Sequence, residues 1–524
     1  MTPAEELKSL VGGLPERNAL LEELGSQVSA ALRQRLARIL ELVSWLLDLL
    51  ELKNLSLQKL RQLCFGAKTE SSRNVCGTPP NDRQKTKAKG HGRHCHRHYT
   101  GARRIVVSHP TSRPGQTCPE CRKGKLRRRQ RPTVAIAVSA QPPIAATIYE
   151  MEQLRCDTCG KLFTAPTPLE AGLEKYDASV GVMVGLMRYG TGMPFYRLER
   201  LQLSLGVPLP SSVQWEQAHR AARELQPVFD YLIYLAAQSA LLFSDDTTMK
   251  VAALRQEIQK QAKPDRTGIF TSGIVGQAQE HPIALFLTGR AHAGENLAEV
   301  LTQREAQRPP PLHMCDGLAH NTPKGHPTVG CQCNVHARRN FVEIQGDFPE
   351  ECRKVVTSYA EIYRTEDQIK AAGLSDQARL ERHQAKSQPV MEELKAWFTE
   401  LVEGRKVEPN STLGQAINYM QVRWKELTQF LRVPGAPIDN NVTERILKTS
   451  ILHRKNSLFY RTQRGADVGD LFMTLVQTCR ANATNPFDYM LTVVRNAQAA
   501  QSDPSQWMPW NYQTNLHPPI ALSG

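Results

Sequence analysis

The sequence predicts a multidomain α+β protein, and three observations carry that expectation. The first is an apolar run broken by two adjacent acids, Leu241-Leu242-Phe243-Ser244-Asp245-Asp246-Thr247-Thr248-Met249-Lys250-Val251, led by the small-residue segment Ala236 to Ala240. Such a run reads as a central strand covered on both faces. A carboxylate inside it costs on the order of several kcal/mol unless a cation or hydrogen bonds compensate it. The second is element order. Gly268 to Gly276 and His281 to Thr288 repeat the strand signal, each bounded by Gly or Pro. Asn296 to Arg304 has helical spacing, Pro309 to Pro311 ends it, and the short apolar stretch Leu312 to Cys315 runs into Asp316-Gly317. Three antiparallel strands, a helix and a strand ending in Asp is the order of a ribonuclease H-like core. Asp245 then lies within the first strand and Asp316 at the end of the fourth, its expected neighbour, where two carboxylates can share divalent metal. The third is length: 524 residues exceed one ordinary domain.

Residues 1–66 read as a coiled-coil dimerisation helix. Leu36, Val43, Leu50 and Leu57 are seven apart, with Ile39, Leu46 and Leu60 between them, although an amphipathic helix packed on its own domain has the same pattern. Residues 67–115 form a basic flexible arm rich in Gly, Pro, Lys, Arg and His, disordered until it meets something acidic. Its crowded His91, His94, Cys95, His96 and His98 fit no usual zinc spacing.

Residues 116–170 read as a DNA-binding zinc ribbon. Cys118, Cys121, Cys156 and Cys159 form two CxxC pairs separated by 34 residues, with strand character at Thr133 to Val138 and Thr147 to Leu154. Four thiolates suit a closed tetrahedral zinc site that substitutes for a core; a redox CxxC is the alternative. Arg127, Arg128, Arg129 and Arg131 project as phosphate ligands or a solvated charge run.

Residues 171–238 are helical and helix-turn-helix-like, with two helices joined at Gly206 to Pro210 and the second capped by Ser211 or Ser212, though any helical hairpin looks alike. The ribonuclease H-like core follows in two parts, 239–345 and 431–498, interrupted by an all-helical insertion at 346–430. Cys333 and His336 have ligand-like spacing, but two ligands do not close a site, and buried packing with a hydrogen-bonded His is the better reading. Residues 499–524 are a C-terminal tail whose Trp507 and Trp510 offer docking groups for a neighbour.

The formal net charge is +15, yet residues 83–131 hold 16 Lys or Arg against the single acid Glu120, leaving 50 basic and 50 acidic residues elsewhere. The basicity is local and points to a polyanion, with Arg103 and Arg104 among its contacts. A membrane is excluded as partner: the most apolar stretch, Ile39 to Leu52, has 14 residues and carries Glu41, Asp48 and Glu51, short of the roughly 20 apolar residues a bilayer needs. The amino terminus lacks a basic start followed by an apolar core, so no signal peptide is expected. Twelve cysteines with two CxxC pairs suit a reducing cytoplasm and bound metal.

A third acid is sought on a later helix. Pro437 to Glu444 supplies turn and cap residues before a helix through Lys455, with Glu444 on the face of Leu447 and Ile451 and with Arg445 and Lys448 beside it. The run DNNVTERILKTSILHRKNSLFY, together with FSDDT, CDG, CNVHARRNF and LVQTCRANATNPFDYM, resembles the bacterial insertion-sequence-sixty-six transposases of the TnpC-like Asp-Asp-Glu type. The stretch Phe65 to Glu70 is similar to the Phe-Gly-x-Lys-Ser-Glu of that family. One departure stands: the family's Asp-Glu-Thr is Asp245-Asp246-Thr247 here, which keeps the charge.

The resemblance implies a catalytic triad of Asp245, Asp316 and Glu444 holding two Mg²⁺, beside structural Zn²⁺ in the ribbon. It implies a DNA transposase that binds the terminal inverted repeats of its element and target DNA, then cleaves and transfers strands, in the cytoplasm and on the nucleoid of a bacterium. Arg338, Arg339, Arg445, Lys448, Arg454 and Lys455 are then further DNA contacts. A homodimer or higher homo-oligomer is expected, with accessory proteins of the same element as possible partners. The alternatives are a zinc-dependent DNA-binding regulator with a non-catalytic nuclease-like core and, more weakly, a nuclease acting on structured RNA.

Overall fold

The computed structural model describes residues 105–516, apart from residues 109, 128–133, 136, 137, 139, 140, 156, 158, 160, 173, 262 and 263. The expected coiled coil of residues 1–66 and most of the basic arm, Arg103 and Arg104 included, lie outside the described residues, as do Arg128, Arg129 and Arg131 of the ribbon. The chain divides into two units, residues 1–83 with 345–357 and residues 84–344 with 358–524. The described part of the first is the segment 345–357; the second carries the sheet.

In chain order the elements are a small hairpin, β1 (Gln153–Arg155) and β2 (Leu162–Thr164), then α1 (Ala178–Gly185), α2 (Phe195–Ser204) and α3 (Ser211–Ala237). Next come β3 (Leu241–Thr248), α4 (Ala252–Lys260), β4 (Phe270–Ala278), β5 (His281–Gly289), α5 (Ala293–Leu301), β6 (Leu312–Cys315) and β7 (Val329–Gln332). A helical stretch follows: α6 (Asn334–Glu343), α7 (Pro349–Ala372), α8 (Asp376–Lys386), α9 (Gln388–Glu403), α10 (Thr412–Val422) and the short α11 (Trp424–Leu427). The chain closes with α12 (Asn441–Ser457), α13 (Gln463–Ala481), α14 (Pro486–Arg495), α15 (Ala497–Ser502) and α16 (Tyr512–Leu516). Among the described residues no helix is long and apolar enough to cross a membrane.

The five-stranded sheet is mixed, in the order β5-β4-β3-β6-β7. β3, β4 and β5 are antiparallel neighbours, and β6 and β7 run parallel to β3. Asp245 therefore sits within the central strand, and β6, which ends at Cys315 just before Asp316, is the strand beside it. Successive side chains on a strand face opposite ways. Asp245 lies opposite Gly273 on β4, and Asp246 opposite Ser272. Gly273 is closely covered: a Cβ there would come 2.9 Å from Leu447 and 3.3 Å from Ile446, so the missing side chain lets α12 lie close against the sheet on the Asp245 side. Asn296 of α5 donates to Ser272 Oγ at 2.7 Å, which places α5 on the Asp246 side.

The outer edge of β5 is covered by a helix instead of a strand. The backbone N–H groups of Ala284, Phe286 and Thr288 donate to Thr478 Oγ1 (3.2 Å), Thr474 Oγ1 (3.0 Å) and Asp470 Oδ2 (2.6 Å) of α13. The match is metric: four residues of helix rise about 6 Å, close to the roughly 6.6 Å spanned by two residues of strand. Three side chains thus close an edge that otherwise presents unpaired donors.

Several expectations need correction. The small-residue lead-in is partly the end of α3, and β3 begins at Leu241. α4 and β7 were not anticipated; β7 is four residues, one of them Gly, too short to leave a pattern. α5 starts at Ala293, earlier than Asn296, and ends at Leu301. The second helix of the helix-turn-helix-like segment runs on to Ala237, and its N-cap is Pro210, not a serine. The carboxylate of Glu199 on α2 accepts from Ser211 N at 3.0 Å and caps that helix from outside. Among the described residues, strand structure near the second CxxC pair is confined to β1 and β2, with no strand at 147–152. Trp507 is buried in its own chain, where Tyr489 donates to its carbonyl at 2.8 Å, and Trp510 stacks on His281 with ring centres 4.6 Å apart.

Candidate active site

Asp245, Asp316 and Glu444 are far apart in sequence, and in the fold the charges of Asp316 and Glu444 act on Asp245. Asp245, on β3, is mostly buried and accepts from the Asp246 backbone N–H at 2.8 Å. Burial pushes its carboxyl up to about 7 against the pull of that hydrogen bond, and the negative charges of Asp316, Asp246 and Glu444 push in the same direction as burial. Asp316 follows β6 directly, and its Oδ1 accepts from Asn321 Nδ2 at 2.6 Å and from Leu318 N at 3.3 Å, an Asx turn that fixes the carboxylate. Glu444 stands in the first turn of α12.

Asn440 seats that helix. It is fully buried, its Nδ2 donates to the carbonyl of Ser244 on β3 at 3.0 Å, and its Oδ1 accepts from Thr443 Oγ1 at 2.9 Å. Its backbone N–H points at the sulfur of Cys333 at 3.3 Å. One side chain therefore ties the start of the Glu444 helix to the residue before Asp245.

His336 on α6 lies with Nε2 3.8 Å from Glu444 Oε1, an ion-pair distance too long for a hydrogen bond, and its buried Nδ1 has no partner. The expected hydrogen-bonded His is thus corrected, while Cys333 is buried as expected. Burial pushes the Cys333 thiol up to about 11 and the Cys331 thiol up to about 12. On the other flank, Arg423, just after α10, donates to the carbonyl of Gly317 through Nε (3.2 Å) and Nη2 (3.0 Å). A Cβ at Gly317 would run into Arg423 and Tyr419, so this glycine admits the helical segment to the turn beside Asp316.

Of the expected DNA contacts, Arg127, Arg445, Lys448 and Lys455 are exposed, and Arg338 and Arg339 are half-buried on α6. Arg454 is engaged with the end of β3, donating to Thr248 and, at 3.3 Å, to Thr247 Oγ1. Of the four cysteines expected to form a ribbon, Cys118 and Cys121 bracket a tight turn in which Cys118 N donates to Gly124 O (2.7 Å) and Arg122 N to Cys118 O (2.9 Å). The exposed Cys121 thiol is held below its ordinary range by the backbone N–H groups of Gly124 and Lys123 and then by Cys118. Cys159 sits exposed in the β1–β2 connection, and Cys156 lies outside the described residues.

Sequence reasoning missed Asn321, Asn440, Tyr419 and Arg423. Asn440 lies inside a motif read only for its turn and cap residues. Arg423 reaches Gly317 across 106 positions of chain, and no local pattern signals it.

A family model described as Transposase IS66 family matches residues 176–468. Similar proteins of Sinorhizobium fredii include the uncharacterized y4qI, 26% identical over 63% of this chain and 61% of its own length. The uncharacterized y4hP is 25% identical over 69% of this chain and 67% of its own length, and y4jD is 24% identical over 69% and 71%. The chain thus spans about two thirds of the length of these relatives. With more than half of its residues matched by the family model, the chain belongs to the IS66 transposase family.

Proposed function

We propose that this chain cleaves DNA at the terminal inverted repeats of a bacterial insertion sequence and joins the freed strands to target DNA, with Asp245, Asp316 and Glu444 as the catalytic acids. The observation that carries the reading is that the carboxylates after the end of β6 and in the first turn of α12 act on Asp245 in the middle of β3. The sheet order, three antiparallel strands followed by two parallel ones, supports a ribonuclease H-like core.

The donor set fits magnesium. It consists of oxygens only, and the charges that act most strongly on Asp245 are other carboxylates rather than a lysine or arginine. Asp245, Asp316 and Glu444 would hold two Mg²⁺. When bound, these ions supply Lewis-acid activation of water or a 3′ hydroxyl and stabilise the leaving oxygen. The protein's part is placement: the Asn321 hydrogen bond orients Asp316, Asn440 sets Glu444 against β3, and Arg423 pins the Gly317 turn. In this reading Arg338, Arg339, Arg445 and Lys448, on the two helices that carry His336 and Glu444, would meet phosphates as DNA enters.

In this reading Cys118, Cys121, Cys156 and Cys159 hold structural Zn²⁺, the basic arm supplies non-specific DNA affinity, and residues 1–66 pair two copies of the chain. The test is incubation of the full chain with labelled element ends and Mg²⁺. Cleaved and joined products support the reading; binding without strand breakage favours a regulator.

A further inference from the structure

The adjacent acids Asp245 and Asp246 serve opposite faces of the sheet, and the Asp246 face carries a cluster of its own. Oδ1 of Asp246 accepts from Ser272 Oγ at 2.6 Å. Oδ2 accepts from Ala293 N at the start of α5 (2.9 Å) and lies 3.1 Å from His292 Nδ1. The centre of the His292 ring lies 4.2 Å from that of Phe270 and 4.2 Å from that of His320, tilted against both. One ligand atom from each of Asp246, His292 and His320 lies within 4.8 Å of the other two.

We propose that Asp246, His292 and His320 form a site for a transition-metal dication such as zinc, cobalt or nickel, separate from the carboxylate centre around Asp245. Two imidazoles and one carboxylate are donors that these ions favour, whereas magnesium favours oxygen alone. The geometry agrees. Ligands about 2.0–2.2 Å from a tetrahedral ion stand roughly 3.3–3.5 Å apart, and Asp246 Oδ2 and His292 Nδ1 are already 3.1 Å apart. The carboxylate is prepared for the role by its remaining contacts, Ser272 and the Ala293 amide, which fix it as outer partners fix a metal ligand. Three protein ligands leave a fourth position for water or an external group.

The site has a consequence for the opposite face. His320 stands in the turn that begins at Asp316, next to Asn321, whose side chain holds Asp316 Oδ1. An ion on His320, Asp246 and His292 fastens that turn to both β3 and the start of α5. Occupancy therefore stiffens the segment that carries Asp316 without touching Asp316 itself.

The experiment uses the full chain with its ribbon zinc in place and titrates Co²⁺ and Zn²⁺ by calorimetry, with hydrogen exchange read at residues 317–322. Beyond the ribbon and the Asp245 centre, the wild type should take up one further equivalent, with cobalt bands that lack thiolate charge transfer, and exchange in the 317–322 segment should slow. His320→Gln, at an exposed position where folding is not at stake, should weaken that equivalent at least tenfold and abolish the slowing. His292→Gln should do the same, while Cys118→Ser should remove only the ribbon equivalent. Unchanged uptake and unchanged protection in His320→Gln would overturn the proposal, and so would saturation of the wild type with no equivalent beyond the ribbon and the Asp245 centre.

Discussion

Replacing Asn440 with Ala tests how the Glu444 helix is seated. The substitution strands two buried groups: the Ser244 carbonyl loses its 3.0 Å donor and Thr443 Oγ1 its 2.9 Å acceptor. Each such orphan costs about 1–3 kcal/mol; because Thr443 can rotate toward another acceptor, the sum should fall at about 2–4 kcal/mol of unfolding free energy. The functional effect should be larger than the thermal one suggests. Asn440 joins the strand of Asp245 to the helix of Glu444, and a shift of order 1 Å between reacting groups can cost roughly 100-fold in rate. The assays are urea denaturation and cleavage of labelled element ends, with duplex binding measured in parallel. Denaturation and cleavage should both suffer while DNA affinity stays within about twofold. A change below about 0.5 kcal/mol with wild-type cleavage would refute the seating role.

Three further outcomes are expected. Burial pushes the Asp470 carboxyl up to about 8 despite its hydrogen bonds from Thr288, whereas in the unfolded chain it titrates near 3.9; between those values the folded state keeps a proton the unfolded state has lost. Its contribution to stability is therefore fully present below about pH 4 and is lost as pH rises toward about 8, and Asp470→Asn should flatten that part of the stability profile measured by denaturant melts. Deleting residues 83–113 removes nine Lys or Arg and should flatten the log-log salt dependence of DNA binding by several units at about 0.9 per contact, with little change in preference for element ends; an unchanged slope assigns the arm another partner. Cys118→Ser or Cys156→Ser should lose ribbon zinc on metal analysis, whereas Asp245→Asn should retain it.

The central strand and its acid were legible because an apolar run with a carboxylate in its middle is physically costly, and that cost marks Asp245. Asp316 was legible for a related reason, as the polar residue that ends a short apolar stretch. The Glu444 helix was readable from its turn residues and from the Leu447 face, which packs at Gly273. Tertiary contacts were not readable. Nothing local says that Thr478, Thr474 and Asp470 close the β5 edge, because each looks like an ordinary polar residue in a helix until the strand is laid beside it. Likewise His292 and His320 lie in separate turns, and only folding brings their rings together. The Ser211 cap was misread because the accepting side chain came from α2, a different element. Sequence patterns report which face of an element is buried; they do not report which distant side chain arrives to satisfy it.

The most direct test of the catalytic reading is single-turnover cleavage and strand transfer by the full chain on labelled element ends with Mg²⁺, comparing wild type with Asp245→Asn, Asp316→Asn and Glu444→Gln. The account predicts products from the wild type, none above background from any of the three variants, and DNA affinity within about twofold of wild type in all of them. Cleavage by Glu444→Gln at a rate near wild type, in a variant that still binds element ends, would contradict the assignment of the triad.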